Sequence, residues 1–180
     1  MTKNNTNLKN TFIIAVLTFA IAITAFSFSG TNSLTFTAAF AQTDQQQPTY
    51  FDAKLSGDQE VPPVDTQASG LADFTIAGED SVNYNVNVTS MEKITQAHIH
   101  KGKTGENGPV VVTLFNTESP SATTNGVLSQ GNFTAANFEG PLEGKQMKDL
   151  TDMVNSGEAY VNVHTEANPK GEIRGQLSFM

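Results

Sequence analysis

Along much of the chain apolar and polar residues alternate with a period of two, the spacing of a half-buried β-strand. The cleanest case is Val82-Asn-Tyr-Asn-Val-Asn-Val88, four apolar residues separated by three asparagines. Ahead of it, Leu71-Ala-Asp-Phe-Thr-Ile76 places Ala72, Phe74 and Ile76 on one face, and Ala77-Gly-Glu-Asp80 between the two predicts an antiparallel hairpin. Tyr50-Phe-Asp-Ala-Lys-Leu55 reads as a first strand that stops at Ser56-Gly57. Pro109-Val-Val-Val-Thr-Leu-Phe115 is a β-branched run expected to be buried on both faces. Val127–Thr134 holds one short strand, and Ala159–His164 and Ile173–Phe179 form a closing hairpin around residues 165–172. Glu60-Val-Pro-Pro-Val64 cannot be a central strand, because its prolines have no amide donor; it should cross an end or edge of the sheet. The one helix expected is Gln146–Ser156, where Met147, Leu150, Met153 and Val154 recur at helical spacing and Gly157 suits the cap. About eight short strands with glycine-rich turns predict an all-β antiparallel sandwich or barrel with one short helix. On this register Val86→Asp buries an unpaired charge, whereas Asn85→Asp is expected to be nearly silent.

The N-terminus carries apolarity of another kind. Lys3 and Lys9 precede the apolar run Thr11–Phe28, no acidic residue appears until Asp44, and Ala39-Phe-Ala41 is an A-x-A cleavage site, which together read as a secretory signal. The alternative is an uncleaved anchor through residues 11–28, since about 18 apolar residues just span a bilayer. Both place the remainder outside the cytoplasm, with a membrane association only if the segment is retained. The expected organisation is residues 1–41 as signal or anchor, 42–49 as a polar linker, and 50–180 as a single domain. With no cysteine in the chain, that domain has no disulfides and must hold by packing. All 18 acidic residues but only 8 of the 10 basic ones follow position 41, a formal charge of −10 that argues against nucleic acid or an anionic membrane as partner.

Candidate chemistry concentrates on the three histidines. In the extended stretch Ile94-Thr-Gln-Ala-His-Ile-His-Lys-Gly102, His98 and His100 share one face and Ala97 and Ile99 the other. In Ala159-Tyr-Val-Asn-Val-His164 the apolar set is Ala159, Val161 and Val163, which leaves His164 on a face with Tyr160 and Asn162. All three histidines thus stand off the apolar core. Alternate residues lie roughly 6.5–7 Å apart along a strand, close enough for two imidazoles to reach one metal ion at about 2 Å each. Such binding needs neutral imidazole and is expected to weaken as pH falls through about 6.5. Glu106, Glu166 and Glu172 are loop carboxylates that could complete a coordination shell, while Glu172 and Arg174 read as a surface ion pair. The helix methionines read as packing groups, and the glycines of Lys101–Gly108 do not have P-loop spacing. The chain has no Gly-x-Ser-x-Gly elbow, no His-Glu-x-x-His and no cysteine nucleophile, so no catalytic residue is assigned. Asn87 and Asn132 each fit an Asn-x-Ser/Thr glycosylation sequon.

Five stretches in order, Glu60-Val-Pro-Pro-Val64, Ala97-His-Ile-His-Lys-Gly102, Asn107-Gly-Pro-Val-Val111, Tyr160-Val-Asn-Val-His-Thr165 and Asn168-Pro-Lys-Gly-Glu-Ile-Arg-Gly-Gln176, resemble the CHRD (chordin) domain in the form found in exported prokaryotic proteins. The resemblance implies an immunoglobulin-like β-sandwich or barrel outside the cytoplasm and no settled activity. It also implies a distant likeness to copper-zinc superoxide dismutase, in which His98 and His100 are similar to paired copper ligands and His164 to a late one. That enzyme needs further histidines for its second metal, and this chain has none. Two functions follow: a non-catalytic extracellular module that binds a protein, a glycan or a surface component, or a mononuclear metal-binding protein. In the second, His98, His100 and His164 hold one copper ion, with zinc as the alternative, for metal capture or weak redox chemistry.

Overall fold

The computed structural model describes residues 49–180 apart from Glu79. The signal or anchor segment and most of the linker lie outside the described residues. Among the described residues nine strands form one sheet: β1 (Tyr50–Ser56), β2 (Ser69–Ala77), β3 (Ser81–Met91), β4 (Ile94–Lys101), β5 (Val110–Asn116), β6 (Thr124–Thr134), β7 (Ala159–Thr165), β8 (Ile173–Gln176) and β9 (Ser178–Phe179), with one α-helix, α1 (Met147–Asn155), before β7. The order across the sheet is β5-β4-β7-β8-β1-β2-β3-β6, every pairing is antiparallel, and β9 adds to β1. The sheet curls into a nearly closed barrel. At the seam, Tyr84 of β3 and Ser129 of β6 both donate their hydroxyls to the Leu114 carbonyl of β5, at 2.9 and 2.8 Å, and a single bridge joins Val112 to Phe138.

The period-two pattern translates directly into an interior. Phe51, Ala53, Leu55, Ala72, Phe74, Val82, Val86 and Val88 point inward, as do Ala97, Ile99, Ala159, Val161, Val163 and Ile173 from the other half of the sheet. Helix α1 closes one end with the expected Met147, Leu150, Met153 and Val154. Its C-terminus is terminated by Gly157 at φ +67°, a left-handed conformation that only glycine adopts without strain.

Three expectations are corrected. The segment around residues 127–134 is an 11-residue strand, because its backbone pairs with β3 along nearly its full length despite an exposed and unpatterned sequence. The run 110–116 is not buried throughout: Val111, Val112 and Leu114 are covered, but Thr113 is exposed, because little packs over the outer face of β5 beyond Val111. The last hairpin arm is split at Leu177, β8 pairing with β7 and β9 crossing to β1.

Candidate metal centre

His98 and His100 on β4 lie beside β7, where His98 pairs in register with Asn162 and His100 with Tyr160. Arg174 on β8 continues the first row, opposite Asn162, and Gln176 the second, opposite Tyr160. The outward side chains of β4, β7 and β8 therefore form one polar face on the reverse of the apolar core. It is not a surface. His98, His100 and His164 are 7%, 8% and 7% exposed, and Asn162, Tyr160 and Arg174 are still more buried. Alternation on the strands is thus as expected, but the face opposite the core is roofed by three loops, residues 57–68, 102–109 and 166–172.

The roof is pinned by the polar face itself. Arg174, 1% exposed, donates from Nη2 to the Lys103 carbonyl at 2.8 Å and from Nη1 to the Glu106 carbonyl at 2.8 Å and Asn107 Oδ1 at 3.4 Å. Its guanidinium carbon sits 3.5 Å from the centre of the Tyr160 ring, and the His100 ring stacks on Tyr160 at 5.0 Å and 10°. Gln176 donates to the Gly102 carbonyl, the Gly108 amide donates to the Tyr160 hydroxyl, and Asn107 Nδ2 ties this loop to the Val61 carbonyl. Gly108 is required here, since a Cβ on it would meet the Lys101 carbonyl oxygen at 1.7 Å.

The sequence expectation of a surface ion pair between Glu172 and Arg174 is overturned. Arg174 alternates outward from β8 into the roofed face, and Glu172 instead accepts from Thr66, Thr165 and Asn168. Nor do the loop carboxylates join the histidines. Glu166 pairs with exposed Lys93 at 2.7 Å, Glu106 Oε2 takes the Lys103 amide, and the one metal-capable group among the described residues consists of His98, His100 and His164 alone.

In that group one ring nitrogen from each histidine lies within 4.8 Å of the other two. Two of the rings are oriented from behind. His100 Nδ1 donates to the Gly108 carbonyl at 2.9 Å and His164 Nδ1 to the Pro169 carbonyl at 3.2 Å. A carbonyl can only accept, so the hydrogen resides on Nδ1 and each Nε2 carries a free lone pair, the arrangement that fixes a metal-ligating imidazole. His100 Nε2, His164 Nε2 and His98 Nδ1 are all buried without a hydrogen-bond partner. Three ligands at about 2.0–2.1 Å from one ion stand roughly 3.3–3.5 Å apart, so closure needs ring movements of about 1 Å.

Burial holds the rings neutral. It pushes His98 down to about 4, helped by the neighbouring His164 and His100. His100 is also lowered to about 4 by burial, with the Gly108 carbonyl opposing and the charges of His164 and Arg174 adding. His164 is lowered by burial against its bond to Pro169. Beside them, Glu60 is 5% exposed and reaches Asn162 Nδ2 at a long 3.5 Å, and burial raises its carboxyl to about 7 despite Arg174 and the Val61 amide. Glu60 also borders a cleft of about 300 Å³ between Val61–Val64 and Ala167–Gly171. Glu60, Tyr160, Asn162 and Arg174 were not assigned to the site from sequence. The available signal was that Tyr160, Asn162 and Arg174 share the histidines' side of the alternation.

A curled antiparallel barrel carrying a roofed, all-imidazole cluster defines a small β-barrel domain with one group that could hold a metal ion among the described residues. The CHRD domain family model matches residues 51–177, most of the chain, and the chain belongs to the CHRD-domain family. No curated protein and no solved structure matches it.

Proposed function

We propose that this CHRD domain is an extracytoplasmic binding module whose ligand is a single transition-metal ion held by His98, His100 and His164. The observation that carries this reading is the set of three partnerless buried ring nitrogens, two of them on rings locked by a carbonyl behind. A buried polar atom without a partner is unfavourable by about 1–3 kcal/mol. Three histidines that each carry such an atom, with one ring nitrogen of each within 4.8 Å of the others, are best accounted for by a ligand that the three rings share. Nitrogen ligands in this number suit copper or zinc, and the general affinity order places Cu(II) above Zn(II). A bound ion would supply Lewis acidity at a fourth position; the protein's part is to orient the rings, exclude water and keep the imidazoles unprotonated. With no protein group assigned to act on a substrate, metal capture is the role proposed.

Isothermal titration of the metal-free protein with Cu(II) and Zn(II) at neutral pH is expected to give saturable one-to-one binding, weakened at least tenfold by each of His98→Ala, His100→Ala and His164→Ala. Equal binding by the triple variant would remove this reading. The same proposal places the domain outside the cell after cleavage at Ala41. N-terminal sequencing of the native protein should then begin at Gln42, and an intact N-terminus in the membrane fraction would instead establish the anchor.

A further inference from the structure

A metal ion's charge decides how well a buried site tolerates it, because the penalty for leaving water rises with the square of the charge. The group consists of three neutral imidazoles, with no carboxylate and, in a chain without cysteine, no thiolate. Nothing among the ligands offsets a positive ion. Arg174 adds to the imbalance: it is buried, its donors go to two carbonyls and one amide oxygen, and it makes no direct ion pair among the described residues, the charges of Glu60 and Glu106 reaching it only from a distance. The stack through Tyr160 puts the guanidinium carbon no more than about 8.5 Å from the His100 ring centre, close enough for a unit charge to act strongly in a poorly hydrated interior. Glu60, the one buried carboxyl among the described residues, bonds to Asn162 and to no imidazole.

We propose that the cluster of His98, His100 and His164, flanked by the unpaired Arg174 charge, selects a monovalent ion, copper(I), over the divalent ions Cu(II) and Zn(II). The inference rests on the three-histidine metal reading and specifies the charge of the ion. A closed-shell monovalent ion halves the charge brought into the site, is satisfied by three ligands, and has no d-electron preference for a square-planar set. An ion on the His100 nitrogen lies within about 12 Å of Arg174, where a second unit of charge is disfavoured about tenfold at an effective dielectric of about 20.

The test uses the purified protein at neutral pH. Cu(I) affinity is measured anaerobically by competition with a chromophoric Cu(I) chelator; Cu(II) and Zn(II) affinities are measured by calorimetry against a weak competitor. Cu(I) is expected to bind at least tenfold tighter than either divalent ion. Arg174→Gln, which removes the charge but keeps a donor, should narrow the Cu(I) to Cu(II) ratio by about tenfold, equivalent to a fall of about 59 mV in the copper potential. Loosening of the roof alone would weaken both copper states equally and leave the ratio unchanged, which would overturn the role given to Arg174. Divalent binding as tight as Cu(I) in the wild-type protein would overturn the selectivity while leaving the metal site standing, and that comparison decides the matter if Arg174→Gln does not fold. Failure of all three ions to bind would remove the metal site itself.

Discussion

Burying an imidazole penalises its charged form, and that is the largest effect on how the site responds to acid. The sequence alone suggests that metal affinity falls through about pH 6.5; with His98 and His100 near 4 in the folded protein, proton competition begins roughly two pH units lower. Binding at about pH 5.5 should therefore stay close to its neutral value, and a titration showing a midpoint near 6.5 would contradict the burial. The metal-free protein carries the reciprocal signature. Between about 6.5 and 4 unfolded His98 and His100 hold protons that the folded ones refuse, and His164 is shifted in the same direction, so stability is complete above that window and declines as pH falls through it. Glu60 works in the opposite sense, since its folded carboxyl at about 7 keeps a proton that an unfolded one, with its ordinary value of 4.5, releases. Acidification from about 7 to 4.5 thus returns some stability. Glu60→Gln should steepen the acid decline of the thermal midpoint, and replacing all three histidines with glutamine should flatten it.

At the level of elements, the strand pattern specified the interior well and the opposite face poorly. Alternation identified which residues of β4 and β7 avoid the core, but whether the avoided face meets water depends on loops whose positions come from side-chain bonds far apart in sequence, such as Asn107 to Val61 and Arg174 to Lys103. A buried Arg174 could not be read from its immediate neighbours for this reason. Arg174→Met should release the roof, and hydrogen exchange at Gly102–Gly108 should speed up by an order of magnitude or more while β2 and β3 stay protected. Register also revises the expectation at Asn85. That residue pairs with Asp73, which pairs with Asp52, and the Asp73 carboxyl is already raised by burial and by Asp52. Asn85→Asp would put three carboxylates in one row across β1, β2 and β3. It is expected to lower stability by about 0.5–1 kcal/mol at low salt and to recover in high salt. Val86→Asp, fully buried next to it, should destabilise by several kcal/mol at any ionic strength. In α1, Leu150→Ala leaves a cavity at a fully buried position and should lower stability by about 2–5 kcal/mol in urea denaturation.

At the scale of the whole molecule, the family and the barrel class were legible in the order of five short motifs and the repeated period of two; the domain match over residues 51–177 agrees with the first and the strand order with the second. The joining of distant His164 to the His98–His100 pair was legible only as shared strand faces; their convergence depends on β7 lying beside β4, an adjacency that sequence order does not announce. One element found only in the structure has a further meaning. Strand β9 returns to β1, where Phe179 faces Phe51 and the Met180 amide donates to the Tyr50 carbonyl at 3.1 Å. The domain is consequently a bead whose entrance and exit are the same point. The row containing His98, Asn162, Arg174 and Ser56 lies six residues further along β1, about 20 Å from that point. A circular permutant that joins Met180 to Thr49 through a short glycine linker and opens the chain at the exposed turn by Gly144 should therefore fold and keep its metal affinity, and tandem copies threaded on one chain should each bind independently.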